Sequence, residues 1–230
     1  MEAQPLHPAA AELPPPVRRY LQRAGRGFSS RVWLRQRGEL RTSPSSSRWM
    51  AFEATQEARA DRPEFLWRAR VRLGGALSLE VVDRLADGVG SGEVRFLRMR
   101  IGADAGTPEM NAGSLHRYLA EALWYPEALW PSTRLSWEPL TESSAQATLR
   151  DGATAVSLEF RFASSGDVES IYTPARWGKF GRRYRALPWE GHFRDYVRRD
   201  GRRVPREAEV GWYVDGSYGC VWRGRIDVAG

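Results

Sequence analysis

Hydrophobic and polar residues alternate with period two along most of this chain, and one central stretch switches to the period of a helix. In Phe65–Leu73 the residues Trp67, Ala69, Val71 and Leu73 share one face, while Arg68, Arg70 and Arg72 share the other. Val156, Leu158, Phe160 and Phe162 alternate in the same way with Ser157, Glu159 and Arg161. Strands of this kind are predicted from Arg31 to Ile101 and again from Arg134 to Val228. Asp87-Gly88, Asp151-Gly152, Ser165-Gly166, Asp200-Gly201 and Asp215-Gly216 fall where hairpins would turn, which argues for an antiparallel meander. Arg95-Phe96-Leu97-Arg98 breaks the alternation of Glu93–Ile101, and a bulge is expected there. Residues 174–187, basic and glycine-containing, read as a loop or irregular hairpin.

Between the two strand blocks, Leu115, Tyr118, Leu119, Ala122 and Leu123 recur at helical spacing. Thr107 and Pro108 are suited to the N-cap and first position, and Ser114–Trp124 is the core of the predicted helix. Trp124-Tyr125-Pro126 and Trp130-Pro131 follow, so the helix should end or kink at Tyr125. A second, short helix is expected from Val17 to Leu21, after three prolines and before Gly25 and Gly27. The resulting fold class is mainly β, within α+β. It is a large curved antiparallel sheet or incomplete β-barrel of about ten or eleven strands, wrapped around a central helix, plus the N-terminal helix. Residues 1–12 read as a flexible tail and 13–230 as one domain.

Composition narrows the function classes. The net charge of +7 and pI near 10.0 invite nucleic acid as a partner. Lys179 is the only lysine, however, and many arginines alternate along strands, the pattern of a solvated sheet face. No run approaches the roughly 18 apolar residues of a membrane span, and the start lacks the pattern of a signal peptide. The expected location is the cytoplasm, with peripheral membrane contact left open. The single cysteine, Cys220, is expected to be buried and inert. His7, His116, His192 and Cys220 have no ligand spacing, so neither a metal nor any other cofactor is expected. GxSxG, GxGxxG and P-loop patterns are absent.

The segments PPPVRRYLQRAG, LHRYLAEALWYPEALWPS, SWEPL, TAVSLEFRF, PWEGHFRDY and DGRRVPREAEVGW, in that order, resemble a bacterial family of unknown function. The resemblance runs from about Leu13 to the final strand. It implies a fold similar to the lipoprotein carriers LolA and LolB, an incomplete barrel whose helices plug an apolar cavity. A hydrophobic or lipid-like ligand is implied by that fold analogy.

Ten tryptophans are many for 230 residues. Large aromatics fill the interior of curved sheets, but they also line ligand pockets. Tyr118, Trp124, Tyr125, Trp130, Trp67, Trp189 and Trp212 are the candidate ligand-binding residues, with the Trp124–Trp130 elbow at the mouth. Arg117 and Glu121, one turn apart on the helix, are expected to form a solvated pair. Were Glu121 to point inward, it could join Glu190 and His192 in proton transfer. The leading reading is a non-enzymatic binder of a hydrophobic molecule. The alternatives are an enzyme using Glu121, Glu190 and His192, and an arginine-rich surface at 176–206 for anionic membranes or nucleic acid.

Overall fold

A computed structural model describes residues 13–25 and 29–229. The tail at 1–12, His7 and Gly27 lie outside the described residues. Thirteen strands form one antiparallel sheet: β1 (Arg31–Leu40), β2 (Met50–Arg59), β3 (Glu64–Gly74), β4 (Leu77–Ala86), β5 (Val89–Phe96), β6 (Met99–Ala105), β7 (Leu135–Pro139), β8 (Ser144–Asp151), β9 (Thr154–Phe162), β10 (Val168–Phe180), β11 (Arg183–Arg199), β12 (Arg202–Val214) and β13 (Ser217–Ala229). Their spatial order is β6-β5-β4-β3-β2-β1-β13-β12-β11-β10-β9-β8-β7. The chain therefore starts in the middle of the sheet, walks to one edge at β6, and resumes at the opposite edge at β7. It then walks back until β13 pairs with β1. Something must cross from edge to edge, and helix α2 (Pro108–Glu121) is that crossing.

Helix α2 begins as the sequence predicts: the Thr107 hydroxyl accepts from the Met110 amide at 3.2 Å, with Pro108 at the first position. It ends one turn early, passing into 3-10 turns at Ala122–Trp124 and Pro126–Leu129 on either side of Tyr125. Gly113 lies inside the helix, against β10. A Cβ there would meet the Trp177 carbonyl oxygen at 2.8 Å. At Gly90 a Cβ would meet the Met110 carbonyl oxygen at 2.7 Å, so missing side chains let the helix sit close on both wings of the sheet. Because sheet touches it on more than one side, α2 buries more than its apolar stripe. Leu115, His116, Tyr118 and Leu119 are all buried, and His116 packs against β9 rather than facing water. Helix α1 (Pro15–Ala24) ends at Gly25 with a φ of 74° and buries Val17, Tyr20 and Leu21 against β8, β12 and the second 3-10 turn.

Two stretches refine the sequence reading, and the first raises the strand number above ten or eleven. The predicted strand 93–101 is two strands, β5 and β6, joined at Leu97 and Arg98 with φ of 47° and 66°. A bulge does occur there, at Val94/Arg95, but the larger event is a tight turn built from residues that carry no turn signature. Residues 174–187 form the irregular hairpin rather than the loop: β10 and β11 run on as a long ribbon to a turn at Gly181, with a φ of 64°. An extra residue between Thr173 and Arg176 masks the alternation. Thr173 pairs with Trp189 and Arg176 with Leu187, so three steps on β10 match two on β11.

Candidate functional site

That bulge decides what the inner face carries. It reverses the parity of β10, so that Arg176, Gly178 and Phe180 turn toward α2. The bare Cα of Gly178 leaves room for the Trp212 ring, whose nearest atom would lie 2.6 Å from a Cβ there. Trp212 in turn pairs with Trp189 directly across β11 and β12. Beneath the C-terminal end of α2, these strands and β1–β5 enclose a cavity of about 430 Å³. Its walls are largely apolar: Leu40, Met50, Val71, Leu79 and Val81 from one wing, Trp189, Phe193, Val210, Trp212 and Trp222 from the other. Trp67 and Trp124 also line it, and each has its indole N–H satisfied by the protein. Trp67 donates to the Gln36 Oε1 at 2.9 Å, and Trp124 donates to the Pro205 carbonyl at 2.9 Å.

One end of the cavity is polar. Gln56, Trp67 and Asp83 form a transverse row across β2, β3 and β4, and Gln36 neighbours it on β1. Arg117 reaches down from α2 into this row. Its guanidinium donates to Glu121 at 2.8 Å, to Asp83 at 2.8 Å and to Gln56 at 3.3 Å, and it lies 4.9 Å over both the Phe65 and Trp67 rings. Gln56 donates to the other oxygen of Glu121. The Arg117–Glu121 pair is therefore not solvated as expected: the two side chains are 19% and 13% exposed. The reason is that α2 lies in the trough rather than on its rim. Burial pushes the Asp83 carboxyl above its usual range, with Arg117 opposing. Burial works against the charge of Arg117, yet Glu121 and Asp83 hold its pKa above the ordinary value.

Arg176 completes the polar end. Its guanidinium lies 5.0 Å from the Trp189 ring and 5.2 Å from the Trp212 ring, and donates to the Gly113 carbonyl at 3.2 Å. Its Nε is buried and without a hydrogen-bond partner among the described residues. Burial, with the nearby charge of Arg117, lowers its pKa to about 10, leaving it protonated at neutral pH.

Of the residues singled out from the sequence, the structure brings Trp67, Trp124, Trp189, Trp212 and Glu121 to this cavity. Tyr118, Tyr125 and Trp130 lie elsewhere. Tyr125 is wholly buried and donates to the Tyr118 carbonyl at 3.0 Å, while Tyr118 donates to the Arg59 carbonyl at 2.7 Å. Tyr118 and Trp130 border a separate hollow of about 190 Å³ near Pro131 and Arg134. The elbow is pinned from below, since buried Arg202 donates to Glu127 at 2.9 Å.

Glu190 and His192 sit on the outer face, because Trp189 and Phe193 on the same strand point inward. Glu190 accepts from Arg161 at 3.2 Å and from Tyr213 at 2.5 Å, and His192 is 3.9 Å away. The proposed trio with Glu121 is thus split by the sheet itself. In 176–206, Arg194, Arg202, Arg203 and Arg206 pair with acids and Arg176 is internal, while Arg182, Arg183, Arg185, Arg198 and Arg199 are exposed. The thiol of Cys220, part-buried, is raised chiefly by burial, and its Sγ lies 3.4 Å from the Trp222 carbonyl. A broad hollow of about 630 Å³ on the outer face is lined by Arg35, Arg37, Arg68 and Arg70 against Glu53 and Glu80, a solvated charged surface.

Gln36, Gln56, Asp83 and Arg176 were not among the sequence candidates. The first three could have been found: each is a polar residue at an inward position of an alternating strand, as in Val32-x-Leu34-x-Gln36 or Leu79-x-Val81-x-Asp83. Arg176 could not, because the bulge hides its parity. Among the described residues, no group of three His, Cys, Asp or Glu could hold a metal ion, and no helix is long and apolar enough to cross a membrane.

No curated protein matches the chain. Among solved structures, a domain from Vibrio parahaemolyticus described as an outer membrane lipoprotein-sorting protein superposes with a TM-score of 0.53. The match covers 96% of this chain and 92% of that one at 7% identity, a likeness of fold. A family model matches residues 4–224, nearly the whole chain. The chain belongs to the family of unknown function DUF6544, built on an antiparallel half-barrel like that of the lipoprotein-sorting domain.

Proposed function

We propose that this protein is a non-enzymatic carrier or receptor for a hydrophobic, lipid-like molecule held between α2 and the inner face of the sheet. The observation that carries this reading is the cavity of about 430 Å³ walled by Trp67, Trp124, Trp189, Trp212 and Trp222. Its size lies within the roughly 300–1,000 Å³ of ordinary ligand pockets, and its few polar groups converge at one end, as such sites require. The fold likeness to a lipoprotein-sorting domain supports the same reading. An enzymatic role for Glu121, Glu190 and His192 finds no support, because the sheet separates the helix carboxylate from the other two.

The test is native mass spectrometry of the purified protein followed by solvent extraction, with binding of the neutral apolar dye Nile red measured in parallel. A stoichiometric apolar molecule, or saturable dye binding that falls when Trp189 is changed to Ala, is the expected result. An empty protein that does not bind the dye would mean that the tryptophans are simply core.

A further inference from the structure

The cavity wall carries three guanidinium groups and two carboxylates, and they are not shared evenly. Arg41 donates to the Cys220 and Ser46 backbone carbonyls. Both carboxylates serve Arg117: Glu121 and Asp83 each lie 2.8 Å from it. Among the described residues, Arg176 has no carboxylate within ion-pairing distance. What holds its charge is one neutral acceptor, the Gly113 carbonyl, the faces of Trp189 and Trp212, and the more distant fields of Glu121 and Asp83. A guanidinium in a largely apolar cavity without a directly paired carboxylate is costly, and a buried Nε donor left unpaired adds to that cost. Groups in this condition call for an explanation, and the open space beside them offers one. The position is also specifically built. The bulge before Arg176 turns the side chain inward, and Gly178 clears the space that lets Trp212 flank it.

We propose, on the reading of the cavity as a ligand site, that it takes a single-chain amphiphile with an anionic oxyacid head, a carboxylate or a phosphate. The head pairs with Arg176 between the two indoles, and the apolar chain runs along Met50, Val71, Leu79 and Val81. A guanidinium suits such a head because its N–H groups match oxyanion geometry. A cationic head is disfavoured, since the carboxylates it would need are already committed to Arg117.

The experiment is displacement of Nile red by four ligands of equal chain length below their micellar concentrations: dodecanoate, dodecyl phosphate, dodecanol and dodecyltrimethylammonium. The two anions should displace the dye at concentrations at least ~10-fold lower than dodecanol, the scale of one charge-assisted hydrogen-bonded contact. Whichever anion is stronger identifies the head as carboxylate or phosphate. In Arg176→Met the preference should vanish while Nile red still binds. Equal displacement by dodecanol and the anions in the unaltered protein overturns the head-group assignment and leaves the cavity reading intact. A preference that survives in Arg176→Met, or in Arg176→Gln should the first variant fold poorly, overturns it as well. Failure of the unaltered protein to bind Nile red at all would remove the cavity reading and this one with it.

Discussion

Replacing Arg117 by Met separates a surface helix from a helix sunk in a sheet. An exposed i,i+4 pair contributes only about 0.3–0.5 kcal/mol, so a solvated Arg117–Glu121 pair would barely be missed. In the fold, Arg117 is 19% exposed, contacts both Glu121 and Asp83 at 2.8 Å, and covers the Phe65 and Trp67 rings. Removing one partner of a buried pair costs about 3–5 kcal/mol, because the remaining charge stays buried and uncompensated. The Asp83 side chain keeps 34% of its exposure, so the lower end, about 3 kcal/mol, is expected. Met retains the stem volume, which limits any added cavity cost.

The cost should also depend on pH. In the variant, burial without Arg117 raises the folded-state pKa of Asp83 further above its unfolded value, about 3.9. The penalty is then full above that raised value and is relieved as pH falls through it, when the carboxyl protonates. Urea unfolding of both proteins at about pH 7.5 and about pH 4.5 measures this, and the stability gap should narrow at the lower pH. A cost below about 0.5 kcal/mol, or one that does not change with pH, would refute the buried network.

Two further outcomes test the packing of α2. His116 is buried and its pKa falls to about 4, chiefly by desolvation. The unfolded chain therefore binds more protons between about pH 6.5 and 4, and stability should fall across that window by on the order of 2–3 kcal/mol. His116→Gln should flatten this part of the urea-midpoint profile, and an unchanged slope would show that the histidine is solvated. Gly113→Ala gains up to about 1 kcal/mol of helix propensity but places a methyl 2.8 Å from the Trp177 carbonyl, an overpacking cost of about 1–3 kcal/mol. A net loss of stability is expected in thermal unfolding; a rise in midpoint would mean that α2 does not press on β10.

Much of the architecture follows from local chemistry that the sequence displays by itself. Period-two alternation sets which face of β3 and β9 is buried. Asp-Gly pairs place the hairpins: Asp87 and Gly88 turn with φ of 51° and 75°, and Asp200-Gly201 and Asp215-Gly216 turn likewise. Thr107-Pro108 starts the helix, and Pro126 bars it from continuing past Tyr125. These are interactions between near neighbours in the chain, so the residues that make them are adjacent on the page. The presence of one helix among strands even implies that the sheet must curve over it.

The site was decided elsewhere. Whether Arg117 and Glu121 face water depends on α2 crossing the concave face between the two sheet edges, which is a property of the strand order. Whether Glu190 joins Glu121 depends on which side of β11 faces α2, and that parity is set by the partners Trp189 and Phe193 find inside. Arg176 is the sharpest case. It reads as one arginine in a basic loop or irregular hairpin, and a one-residue bulge in the pairing of β10 with β11 turns it into a part-buried cation of the cavity. A side-chain period of two makes such a reversal complete with a single extra residue, and only the pairing of distant strands reveals that residue.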